Sequence, residues 1–118
     1  MELVAFVGKD KESWGQIKGV INNIECERII LIQDKEVSGF PTNDKTEVVE
    51  VDCSKQLIEL KEDILVKLRE KLSGDFEVSL SIASGSGKEH MALISALLCV
   101  PVGIRFVVFT KKGVEFIN

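Results

Sequence analysis

No run of apolar residues in this chain approaches the ~20 needed to cross a bilayer, so no spanning helix is expected. The opening stretch, Met1-Glu2-Leu3-Val4-Ala5-Phe6-Val7, lacks the basic region of a secretory signal and reads as a strand. Cysteine is scarce: Cys26, Cys53 and Cys99 are odd in number and widely spaced, which supports neither a disulfide framework nor a zinc site. They read as reduced packing residues of an intracellular, cytoplasmic protein. His90 is the only histidine, and no carboxylate pair or metal-ligand cluster stands out. Metal-dependent hydrolysis is therefore disfavoured, and neither a metal nor a cofactor is expected. Positive charge is not in excess either. Nineteen acidic residues against fifteen basic ones give a net charge of −4, which argues against broad capture of duplex DNA. A small phosphorylated ligand held by a few local groups remains compatible with that balance. There is no repeat, low-complexity tract or linker, and 118 residues suffice for one core and not for two ordinary domains.

What is present is an alternation of short apolar runs and helical periodicity. Residues 3–7 are apolar on both faces, as a strand buried in a parallel sheet would be. Trp14, Ile17, Val20, Ile21 and Ile24 form one face of a helix over residues 12–24, with Ser13 or Asp10 as its cap. Its phase places Trp14 in a core or an interface, and Gly19 would allow close packing on a sheet. Residues 28–33 are the second strand, followed directly by Asp34. Residues 35–44, rich in Ser, Gly, Pro and Asn, read as a loop. Residues 45–52 make a third strand nearer the sheet edge.

Ser54 is expected to open the longest helix, whose leucines and isoleucines repeat at helical spacing until Ser73-Gly74. Residues 76–83 follow as the fourth strand, with Phe76, Val78, Leu80 and Ile82 on one face. Residues 91–99 are apolar nearly all round, so that helix should be buried on more than one side, by the sheet and by a second copy of the chain. Residues 103–110 form a fifth strand, and residues 114–117 return as a hairpin after the Lys111-Lys112-Gly113 turn. The predicted architecture is α/β: a Rossmann-like, mainly parallel sheet of about six strands, helices on both faces, and a C-terminal antiparallel hairpin. Arg105, inside an apolar strand, is open to three readings: an edge position, a buried ion pair or a ligand contact.

The chemistry concentrates in Ser84-Gly85-Ser86-Gly87-Lys88-Glu89-His90-Met91-Ala92, between the fourth strand and the apolar helix. Small residues let the backbone approach a ligand, and the helix beginning near Lys88 aims N–H groups and its positive end at the turn. Lys88 adds a full charge, so the turn suits an anion. It is not a P-loop, whose Gly-x-x-x-x-Gly-Lys-Ser/Thr spacing is absent, and no Gly-x-Gly-x-x-Gly fingerprint occurs. Ligands of open α/β sheets bind beyond the carboxyl ends of the strands. That rule puts residues 8–13 and 84–88 on one rim, facing each other if the first and fourth strands are neighbours. The plain alternative is a turn that is small merely for packing.

This element order, with its small turn, basic residue, Met91-Ala92 and apolar helix, resembles the CRISPR-associated Rossmann fold (CARF) family, in which the turn often reads Thr-Gly-Gly-Thr-Lys-x-Met-Ala. Here Met91 lies three residues after Lys88 rather than two, so the lysine and the Met-Ala pair cannot both be in register. The resemblance implies a homodimer whose paired turns bind cyclic oligoadenylate, most often the four-membered ring. Carried over by position, Ser84, Gly85, Ser86, Gly87 and Lys88 would contact phosphate or ribose, and Gly8, Lys9, Asp10 and Ser13 would form the other wall. Some members only sense the ring; others, the ring nucleases, cut it without metal by attack of a ribose 2′-OH on its own phosphodiester. Lys88, Ser84 and His90 are the catalytic candidates for that step, with Lys88 stabilising the phosphorane and His90 as acid or base. His90 is equally readable as a structural or dimer-seam residue. Two readings without catalysis stand beside this one: the ligand-sensing domain of a transcriptional regulator, and a plain oligomerisation module.

Overall fold

Leu3, Val4, Ala5, Phe6 and Val7 are fully buried, and the strand that carries them, β1 (Glu2–Val7), lies in the middle of the sheet. This is seen in a computed structural model that describes residues 1–74 and 76–118. β1 pairs in parallel with β2 (Arg28–Asp34) on one side and β4 (Glu77–Ser81) on the other, so Val4 has Ile30 and Leu80 as neighbours. β3 (Thr46–Val51) extends the sheet beyond β2, and β5 (Gly103–Thr110) extends it beyond β4, both in parallel. β6 (Gly113–Phe116) finishes that edge antiparallel to β5. The order is β3-β2-β1-β4-β5-β6, the Rossmann-like α/β sheet with a C-terminal hairpin that the apolar pattern predicts. Its direction of winding reverses between β1 and β4.

The period-two alternation of strand side chains divides the core. Val4, Phe6, Ile30, Ile32, Val78 and Leu80 face α2 (Leu57–Lys71) and α3 (Gly87–Leu98), which pack on each other as well. Leu3, Ala5, Val7, Ile29 and Leu31 face the other way, toward α1 (Trp14–Asn23). α1 comes very close to β5. A Cβ on Gly19 would stand 2.5 Å from Cγ of Phe109, so only glycine fits that contact. Residues 35–44 lie in a loop, as their composition predicts, and the strand after it starts at Thr46 rather than residue 45, yet Val37 and Phe40 are buried and complete the core on the α1 face. No helix among the described residues is long and apolar enough to cross a membrane.

Several local expectations are corrected. The first helix does not begin at residue 12. Lys11–Ser13 is a single 3₁₀ turn, and Ser13 gives α1 no side-chain cap, because its hydroxyl donates to Asp10. Ser54 does not open α2, since its N–H and hydroxyl both bond Asp52 Oδ1, and the helix starts at Leu57. Phe76 lies outside β4 and is almost wholly exposed. On α3 of the single chain, Ala92, Leu93, Ala96 and Leu97 face inward, whereas Met91 and Leu98, two turns apart, are 57% and 72% exposed. Arg105 is a half-buried position beside the edge strand, with its guanidinium 4.1 Å from the Phe116 ring centre and Nε–H donating to the Asn118 carbonyl.

Candidate functional site

Parallel strands point their carboxyl ends to one rim, so the turns after β3, β2, β1 and β4 meet there in that order. Between them lies a crevice of about 560 Å³. The turn after β1 contributes Lys9 and Asp10 to its wall, and the end of β2 with the turn that follows contributes Asp34, Lys35 and Glu36. The turn after β3 supplies Asp52, Cys53 and Ser54, and the turn after β4 supplies Gly85, Ser86 and then Glu89 from the first turn of α3.

The expected meeting of the β1 and β4 turns is present and tightly made. The Gly8 N–H donates to Ser84 Oγ at 2.9 Å. Ser84 Oγ donates in turn to Asp10 Oδ1 at 2.9 Å, and the Gly85 N–H donates to the same oxygen at 3.1 Å. Asp10 Oδ2 accepts from Ser13 Oγ at 2.7 Å. Gly85 has φ +103, and a Cβ there would lie 2.7 Å from the Phe6 ring, so the turn requires glycine for its conformation and for its space.

These bonds change the roles read from sequence. Ser84 is fully buried and does not line the crevice. It positions the two turns, and the expected ligand contact and catalytic role do not fit its place. Ser13 likewise serves Asp10. Ser86 and Glu89 form a capping box, each side chain taking the other's backbone N–H, so a carboxylate already sits at the start of α3. Lys88 is exposed, and its ammonium donates to the Cys53 carbonyl at 2.9 Å across the rim. His90 turns inward, 2.6 Å from the Ser84 carbonyl and edge-on to Phe6. A carbonyl oxygen only accepts, so Nε2 carries a proton and braces the turn from behind.

The acids on the β2 and β3 side were not singled out as site residues. Asp34 Oδ1 accepts from the Cys53 N–H at 2.8 Å and Oδ2 from the Glu36 N–H at 3.2 Å, which ties two adjacent turns together. Lys9 donates to Glu36 at 3.0 Å, and Lys35 to Asp52 at 3.3 Å. The available signal was the rim rule itself, which applies to Asp34 and Asp52 as it does to Gly8 and Ser84. Five carboxylates, Asp10, Asp34, Glu36, Asp52 and Glu89, and two lysines, Lys9 and Lys35, line the crevice, a formal charge of −3. Among the described residues no three His, Cys, Asp or Glu groups converge as a metal would need. Burial pushes the Cys53 thiol well up, reinforced by Glu89, so it stays protonated and unreactive at neutral pH.

Burial acts to raise the carboxyls of Asp10 and Asp34, but hydrogen bonds outweigh it. Those from Ser13, Ser84 and Gly85 hold Asp10 below its ordinary value, and those from Cys53 and Glu36 do so for Asp34. Asp52 falls to about 2, chiefly through the Ser54 hydroxyl and N–H. A carboxyl lowered on folding stabilises the fold above its unfolded value and loses that contribution as pH falls through the folded one. The urea midpoint should therefore hold from neutral pH down to about pH 5 and fall progressively between there and about 2. Circular dichroism at a series of pH values measures it, and a midpoint already falling between pH 7 and pH 5 would contradict the assignment.

The chain matches no protein-family model and no curated protein.

Proposed function

We propose that the chain is a ligand sensor: two copies pack through α3, and their paired rims hold a cyclic oligoadenylate, the four-membered ring by preference, without cutting it. The observation that carries this reading is the joining of the β1 and β4 turns at the point where the sheet reverses direction, beside an open crevice. Such a point is where open α/β sheets take nucleotides. The capping box occupies the Ser86 and Glu89 N–H groups, while those of Gly87 and Lys88 stay open at the positive end of α3, and the Lys88 ammonium stands over the same rim. Phosphate oxygens would meet these two N–H groups and Lys88, which stand outside the carboxylate-lined crevice. Ribose hydroxyls and base amino groups, which donate, suit the carboxylates that line the crevice.

Sensing is favoured over cleavage by what His90 and Ser84 already do. Both are committed to bracing the turn, and neither lines the crevice. The second copy is supported by Met91 and Leu98, which leave an apolar stripe on the outward side of α3.

The test is to incubate the protein with radiolabelled cyclic tetra-adenylate in EDTA. Retention of the intact ring, with mass measured by light scattering doubling over the monomer, is the expected result. Linear products would replace the sensor with a ring nuclease, and no retention would remove the ligand. Lys88→Ala should weaken retention about tenfold or more, the worth of one charge-assisted hydrogen bond. Unchanged affinity in that variant would show that the site is misplaced.

A further inference from the structure

β5 and β6 carry apolar side chains on both faces, and the two faces are covered differently. On one, Val107, Phe109, Val114 and Phe116 belong with α1 to the core of that side. The other holds Ile104, Phe106, Val108 and Ile117, since Phe106 stands opposite Leu80 of β4 and Val108 opposite Glu115 of β6. Ile104 and Phe106 reach the margin of the α2–α3 core and stay half-buried. Val108 and Ile117 join neither core of the described residues, and Ile117 is 65% exposed. α3 leads directly into β5 and adds an apolar stripe of its own. Met91, Ile94 and Leu98 follow at helical spacing, and none of them is fully buried. Residues 91–104 carry no formal charge, the longest such run in the chain.

We propose that this face of β5 and β6 is the seat of α3 from a second copy of the chain, so that each copy's helix lies on the other's sheet. It rests on the second copy of the reading above and not on its ligand; there α3 meets α3, and here the sheet joins the interface. Seat and occupant suit each other. The outward sides of α1 and α2 carry charges, whereas that of α3 is apolar from Met91 onward. Because seat and stripe lie side by side on one chain, a single two-fold rotation buries both pairs at once. Met91, Leu98, Ile117 and the four half-buried side chains leave on the order of 500 Å² of apolar surface per copy, the apolar share of the ~800 Å² per partner that a stable dimer buries. Charge sets the direction. Glu115 stands at the rim end of the seat, half-buried, where its carboxylate accepts from the Thr110 hydroxyl. α3 has its positive end at that same rim, so a partner helix running alongside in the same direction brings its N-terminus to Glu115. Both rims then open at one end of the dimer.

Light scattering of the ligand-free protein at micromolar concentration should give twice the chain mass. Ile117→Lys, on the sheet face, and Leu98→Lys, on the helix stripe, should each weaken self-association about a hundredfold and halve that mass. Ile58→Lys on α2, at a position 75% exposed, is the control and should leave the mass as it is. All three positions are exposed, and circular dichroism checks that the variants fold. A dimer lost in only one of the first two variants overturns the seat; lost in Leu98→Lys alone, it leaves helix-to-helix pairing intact. A monomeric parent, a dimer kept in both variants, or one lost in the control as well also overturns it. Loss in both variants with the control unchanged upholds it. If the parent then retains no cyclic tetra-adenylate, the ligand reading falls while the seat stands.

Discussion

Gly8→Ala will separate the two turns on which the rim is built. A Cβ at this position would lie 2.6 Å from Cα of Gly85 and closer still to Asp10 Oδ1. The first obstacle is backbone, which no rotamer change removes. To make room, the turns after β1 and β4 must move apart, and the bond from the Gly8 N–H to the buried Ser84 hydroxyl is lost with that movement. Overpacking alone costs about 1–3 kcal/mol, and each stranded buried donor adds roughly another 1–3. The expected loss is about 3–5 kcal/mol, a large share of the roughly 5–15 kcal/mol that holds an ordinary domain. It should appear as a lowered urea midpoint with an unchanged slope. Gly15→Ala is the internal control, because nothing lies within 4 Å of a Cβ there and the position is helical. That variant should be as stable as the parent or more so, by up to about 1 kcal/mol. Equal behaviour of the two variants would mean that the turns do not touch as described.

Asp10→Asn will cost nearly as much by a different route. The carboxylate accepts from the Ser13 and Ser84 hydroxyls and the Gly85 N–H, and the Ser13 hydroxyl is also 2.8 Å from the Asp10 carbonyl. An amide keeps the shape and turns one oxygen into a donor. With its NH₂ toward Ser13, whose hydroxyl can turn to the Asp10 carbonyl and accept, the amide still serves Ser84 and Gly85 only with a neutral oxygen in place of a charged one. Hydrogen bonds to a charged group are worth about 1.5–3 kcal/mol each, so the loss of one or two, partly screened at this half-buried position, gives about 2–3 kcal/mol. The variant carries a second signature. Asp10 is one of the lowered carboxyls, so its removal should flatten the acid limb of the stability profile below the ordinary carboxyl value. A destabilised variant with an unaltered acid limb would assign Asp10 a purely steric part.

The central strands were legible because they are buried on both faces. Residues 3–7 and 29–32 are continuous apolar runs, and only a parallel sheet covered on both sides accommodates such runs. Helix starts were less so. Ser54 looks like a cap, but a preceding aspartate competes for its hydroxyl, and sequence alone does not decide which partner wins. The meeting of the Gly8 and Ser84 turns followed from topology, since adjacency of β1 and β4 brings them together. The direction of individual side chains did not follow. Ser84 and His90 are of types that bind and catalyse, and both turn inward because a tight turn leaves a buried hydroxyl and a carbonyl that need partners. Asp34 and Asp52 were hidden by their surroundings. One stood between what read as a strand and what read as a loop, and the other closed what read as an edge strand.

The central place of β1 has a consequence for how the chain acquires its shape. β1 leaves the ribosome first and finds β2 soon after, but Gly8 waits for Ser84, 76 residues further along. At about 5–20 residues per second that delay is roughly 4–15 s, during which the most apolar strand of the protein has one edge unpaired. Such an edge is a template for pairing with another chain. Synthesis therefore passes through an interval when β1 can adopt a stranger as its second neighbour, and the arrival of β4 ends that interval and assembles the rim in the same event.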